Sequence, residues 1–212
     1  KISDKKKKIV LIFDECTSGF RQCLGGLHMK YKIYPDIAMF GKALGNGFAI
    51  TSVIGKKSIM QKAGNSFISS TFWTERIGFV AGIETLKLMK QKKSWKKIVD
   101  NGRHFNLMIK KLASKYDIKL NISGIEAITA FNFESKKNIA YKTYITQEML
   151  KKNYLASNQI YMTIFHTKKI INQYIKDLDP VFKKISFFEK NNIGSNKFIK
   201  KQICHQTFQR LN

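Results

Sequence analysis

The sequence predicts an α/β fold in which a mainly parallel sheet is followed by a smaller α/β domain. Three observations lead there. Short, uninterrupted β-branched and aromatic runs recur early, at 9–13 (IVLIF), 36–40 (DIAMF) and 50–55 (ITSVIG), each bounded by Gly, Pro or charged residues. Runs without polar alternation belong to strands buried on both faces, as in parallel sheets covered by helices. Longer stretches with apolar residues near the 3.6-residue period come next, and short strands return only beyond residue 119.

Taken in order, SFISSTF (66–72) is a weaker fourth strand candidate. A helix follows from 74 to about 91, where Ile77, Val80, Ala81, Glu84 and Leu88 mix apolar and polar faces. A second helix is expected over 94–115. There Trp95, Ile98, Val99, Phe105, Ile109 and Leu112 recur near the helical period opposite a lysine-rich face, so it reads as a long connector. Strands at 120–123, 127–133 and 159–164 then interleave with helices at 140–153 and 168–188. Asp179-Pro180 is expected to kink or restart the last helix. The polar, glycine-bearing tail from Asn191 is expected to be loosely held. This places domain boundaries at 1–92, 93–190 and 191–212.

The 212 residues, 43% hydrophobic, suffice for one sizeable core or two small ones. The chain begins with Lys1 and its first strand follows within a few residues, so an upstream portion is expected to be missing. A net charge of +25 invites a nucleic-acid reading, since clustered lysines release counterions from a phosphate backbone. The excess is spread along the chain, at +9 over 1–90 and +16 over 91–212, and no nucleic-acid partner is expected. The lysine runs at 5–8 and 92–97 read as solvated faces. Cys16, Cys23 and Cys204 lack CxxC spacing, and His28, His104, His166 and His205 are scattered, which gives neither a disulfide framework nor a metal site. The apolar run IVLIF is too short for a signal-peptide core or a membrane span, so a soluble, cytoplasmic protein is expected.

The chemistry concentrates in two places. Asp14 ends the first apolar strand, and Lys42 follows 28 positions later in a turn with Gly41, Gly45 and Gly47, whose glycines allow a tight backbone and close approach of a ligand. A carboxylate at the C-terminal end of a buried strand lies where α/β sheets bind ligands. The pair suits pyridoxal phosphate, which needs a lysine for its aldehyde and an acid to keep its ring nitrogen protonated. The alternatives are a turn merely capped by Asp14 and Glu15, and a solvated surface lysine.

IFDECTSGFR (12–21), YPDIAMFGKALGNGFAITSVIG (34–55) and SSTFWTERIG (69–78), in that order, resemble the core of class III, ornithine-aminotransferase-like, pyridoxal-phosphate enzymes. Within that family they are most similar to glutamate-1-semialdehyde aminomutase and its aminotransferase relatives. The resemblance is strong over about the first 90 residues. It implies a fold-type-I transferase, with the C-terminal part of the large domain followed by the small domain. By motif, Asp14 resembles the carboxylate paired with the pyridine nitrogen, and Lys42 the lysine of the internal aldimine. Thr71 resembles the hydroxyl residue that reaches the cofactor phosphate of the neighbouring subunit, which implies a homodimer. Cys16 stands where the family puts an apolar residue against the ring, and cysteine serves as a small hydrophobe. Gly19, Phe20 and Arg21 match a GFR motif read as structural, with a substrate-carboxylate role for Arg21 the alternative. Trp73 is expected at the subunit interface or the site mouth.

The implied function is amino-group transfer on a small amino or keto substrate through Lys42, as part of a longer protein. Intramolecular conversion of glutamate-1-semialdehyde to 5-aminolevulinate is one alternative, and a non-catalytic fragment or basic binding protein is another. The family's phosphate loop and ring-stacking aromatic residue would precede Lys1, so the isolated chain is expected to bind cofactor poorly.

Overall fold

A computed structural model describes residues 9–71 and 73–205, so the lysine run at 5–8, the end of the 66–72 strand candidate and residues 206–212 lie outside the described part. The chain divides into two compact units, residues 1–97 and 98–212.

In the first unit β1 (Ile12–Asp14), β2 (Ile37–Phe40) and β3 (Ser52–Gly55) form one sheet in that order. β1 and β2 are parallel, with Asp14 opposite Met39, and β3 runs antiparallel to β2, with Phe40 opposite Ser52. An antiparallel strand at the edge of an otherwise parallel sheet is common in α/β proteins. Asp36 ties the two parallel strands at their start: its carboxylate accepts from the Leu11 amide at 2.8 Å, and its own amide donates to the Leu11 carbonyl.

Burial on both faces, expected for these strands, is found on one. Ala38 and Phe40 alternate inward onto Leu44, with Phe20, Ile50 and Leu86 packed around them, while Ile12, Val53 and Ile54 are exposed. The segment 66–71 is not a strand. A strand exists only through a neighbour's ladder, and among the described residues this segment has none.

Helices α1 (Leu27–Tyr31) and α2 (Lys57–Met60) are single turns, and α3 (Arg76–Lys92) is the long helix of this unit. Its inward stripe is small: Gly78, Gly82 and Thr85 are buried, whereas Ile77, Val80 and Leu88 are exposed. A Cβ on Gly78 would lie 2.6 Å from the Ala49 carbonyl oxygen, so α3 rests directly on the backbone of the segment after Lys42.

The second unit takes in most of α4 (Ser94–Lys115), then β4 (Leu120–Ile125), β5 (Ile128–Phe133), α5 (Asn138–Leu150), β6 (Gln159–Tyr161) and α6 (Lys168–Lys190). The three strands form an antiparallel sheet in that order. Phe105, Ile109, Phe131, Ile145, Leu178 and Phe182 are among the residues that build a core far larger than that of the first unit.

α6 passes through Pro180 without interruption. Leu178, Val181 and Phe182, on either side of the proline, are buried and hold the helix in place. The amide that proline lacks would have served the carbonyl of exposed Lys176, which water can reach. Nor is the tail loose through Cys204. Phe198 stacks on Phe188 with ring centroids 4.4 Å apart, its carbonyl accepts from Gln147, and the Cys204 amide donates to Thr143 Oγ1. Among the described residues no helix is long and apolar enough to cross a membrane.

Candidate active site

β1 delivers Asp14 to its C-terminal end, and the turn that follows folds back on itself. Asp14 Oδ1 accepts from the Cys16 amide at 2.9 Å. That backbone bond, with further help from the Cys16 side chain and the charge of Lys42, holds the exposed carboxyl below its ordinary value against a smaller desolvation effect. Asp14 is therefore anionic at neutral pH.

Its neighbour Glu15 does different work. It is buried, and burial alone would push its carboxyl up. Hydrogen bonds from Ser18 Oγ, the amides of His28 and Leu27, and the His28 ring more than offset this and leave it below the ordinary value. Glu15 thus anchors the start of α1 to the end of β1. Arg21 supports the same loop, its Nε donating to the Thr17 carbonyl at 2.7 Å, in line with a structural part for the GFR segment.

Lys42 opens a short 3-10 turn, Lys42–Leu44, directly after β2. Its φ of 43° lies in the left-handed region, which costs a non-glycine residue about 1–3 kcal/mol and is concentrated at functional positions. The surrounding bonds impose it: the Leu44 amide reaches the Gly41 carbonyl, and the Asn46 amide reaches that of Lys42. The side chain is exposed, and Nζ donates to Thr17 Oγ1 at 2.6 Å. Cys16 borders the same place, its Sγ 3.6 Å from where a Gly41 Cβ would stand. Burial, then its hydrogen bond with Asp14 and that residue's charge, push the Cys16 thiol up, so it stays protonated and behaves as a small apolar group.

The structure therefore brings Asp14, Cys16 and Lys42 together on two adjacent turns, after β1 and after β2. Thr71 is exposed in the turn before α3, with no hydrogen bond among the described residues. Ser70 and Trp73 of that segment line an apolar groove with Ile50, Thr51, Val53 and Phe79. Thr17 was not singled out in the sequence, because nothing in its spacing distinguishes it from any polar turn residue.

Comparison with solved structures defines the class of fold. The chain superposes on the internal aldimine form of Sphingopyxis sp. MTA144 FumI protein with a TM-score of 0.80 at 18% identity, covering 87% of this chain and 45% of that one. An omega-transaminase from Sphaerobacter thermophilus matches with a TM-score of 0.74 at 16% identity, over 84% of this chain and 45% of that one. The fold is that of the pyridoxal-phosphate-dependent, fold-type-I transaminases. Residues 2–158 match the aminotransferase class-III family, and the chain belongs to that family. The match runs well past the first 90 residues that carry the recognisable motifs. Relatives include 3-aminobutyryl-CoA aminotransferase of Cloacimonas acidaminovorans, 32% identical over 74% of this chain and 37% of that protein. Glutamate-1-semialdehyde 2,1-aminomutase of Natranaerobius thermophilus is 28% identical over 82% of this chain and 45% of its own length. The chain thus spans less than half the length of these relatives. The cofactor the family indicates is pyridoxal phosphate.

Proposed function

We propose that this chain is the lysine-bearing part of a pyridoxal-phosphate enzyme that moves an amino group between small amino and keto compounds. The observation that carries the reading is the pairing of an anionic carboxylate, Asp14, with the exposed amine of Lys42 on adjacent turns at one end of a parallel strand pair. The donor set fits the cofactor. Asp14 would hold the ring nitrogen protonated, Lys42 would hold the aldehyde carbon, and the small, neutral Cys16 leaves room for a flat ring beside Gly41. When bound, the cofactor supplies an electron sink for the substrate carbon. Lys42, displaced by the substrate amine, would carry the proton between substrate and cofactor carbons.

One finer reading is supported by resemblance. Thr71, exposed and without a hydrogen bond among the described residues, is free to serve a phosphate across a homodimer interface. The test is to treat the protein carrying this sequence with pyridoxal phosphate, reduce it with borohydride and map the modified peptide. Label on Lys42 is expected, and label scattered over surface lysines would sink the proposal. Supplying glutamate semialdehyde alone, against an amino donor with a keto acceptor, then separates the aminomutase reading from intermolecular transfer.

A further inference from the structure

We infer that Thr17 is a positioning residue for the Lys42 amine, a neutral latch that orients the nucleophile without locking it into an ion pair. The inference rests on the cofactor reading of Lys42 and adds to it a residue that neither motif nor comparison assigns.

Two carboxylates precede Thr17 in the same turn, and either would be the natural partner of a lysine. Glu15 is engaged with Ser18 and His28 inside the loop. Asp14 turns Oδ1 to the Cys16 amide. Among the described residues Lys42 makes no ion pair, and its amine rests instead on the Thr17 hydroxyl at 2.6 Å. Thr17 is itself held, because its carbonyl accepts from Arg21 Nε.

The chemical consequence lies in the choice of acceptor. A carboxylate at this position would stabilise the ammonium form strongly and remove the lone pair that must attack an aldehyde. A hydroxyl fixes the direction of the amine at far smaller electrostatic cost. The left-handed backbone of Lys42 points the same way, toward a side chain whose placement is over-determined.

The experiment measures acylation of Lys42 by an amine-reactive ester in the longer protein that carries this sequence, cleared of cofactor. Peptide mass supplies the readout, with Lys56, held by Asp36, as internal reference. Thr17→Val is expected to raise the Lys42-to-Lys56 ratio about threefold, as expected for losing one exposed hydrogen bond. Thr17→Ser should match the wild type. Thr17→Asp should lower the ratio by about threefold or more, because it installs the ion pair the native turn avoids. Opposite signs for Val and Asp are not produced by a merely structural role. Equal ratios across the set, or changes shared by Lys56, would overturn the inference. Borohydride labelling of the unsubstituted longer protein that carries this sequence, supplied with pyridoxal phosphate, reads the cofactor proposal separately. Label on Lys42 with unresponsive Thr17 variants removes only the latch, and absent label with responsive variants removes only the cofactor reading.

Discussion

Asp14 and Glu15 are adjacent carboxylates with opposite assignments, and burial separates them. Asp14 is exposed and its carboxyl is depressed, so its charge is present above the ordinary value of 3.8 and lost only as pH falls through the lower folded value. Cofactor retention that depends on Asp14 should therefore be flat from pH 7 to pH 5. Asp14→Asn should weaken retention by about tenfold or more, followed by cofactor absorbance against pH. A wild-type loss centred near pH 6 that vanishes in the variant would contradict this. Glu15 is a structural anion. Glu15→Gln removes the charge that Ser18 and His28 solvate and should cost about 1–3 kcal/mol at pH 7. Since Glu15 too is depressed below its ordinary value of 4.5, that advantage should fade as pH drops through the folded value, and urea melts at pH 7 and pH 3.5 would show it. Asp14 was legible in the sequence because it ends an apolar run. The separate role of Glu15 was not, because only the folded turn shows which carboxylate faces inward.

Helix α3 shows what a pattern of apolar residues can mislead about. Its bulky positions, Ile77, Val80 and Leu88, which the sequence showed on mixed apolar and polar faces, are exposed, and the glycines make the contact. The backbone of 44–50 approaches so closely that a side chain at Gly78 has no room. Gly78→Ala should cost about 1–3 kcal/mol from the 2.6 Å clash with the Ala49 carbonyl, despite its better helix propensity. Gly82→Ala meets nothing nearer than Ile50 Cδ1 at 3.4 Å, and should be neutral or stabilising by up to about 1 kcal/mol. Paired thermal melts of the two variants check the contrast, and equal effects would show that α3 does not clamp this segment. Pro180 is a second case. Proline in a helical stretch signals a break, and α6 continues because buried neighbours on both sides outweigh one missing hydrogen bond on its solvent side.

The two units differ in how much apolar surface they bury. The second closes a continuous aromatic and aliphatic core, while the first, among the described residues, buries only Ala38, Phe40 and Leu44 in its cluster and leaves residues such as Ile12, Val53, Phe67 and Val80 in water. Local opening follows that contrast. Amides of β5 and α6 should exchange with deuterium orders of magnitude more slowly than those of β1 and β3. Leu178→Ala, at a fully buried position, should cost about 2–5 kcal/mol in a denaturant melt. Comparable exchange in both sheets would refute the contrast.

The residue pattern alone carried the class of fold, the position of most helices and strands, and the two groups proposed to carry the chemistry. Apolar periodicity and the end of a strand are local properties that a linear text records. It could not say that β3 reverses direction, that the stretch 66–71 finds no ladder partner among the described residues, or that the Lys42 amine rests on Thr17 in preference to a carboxylate. Those outcomes depend on which groups compete for the same partner in space. Ladder pairing, close backbone approach and the satisfaction of buried charge are decided only when distant residues meet.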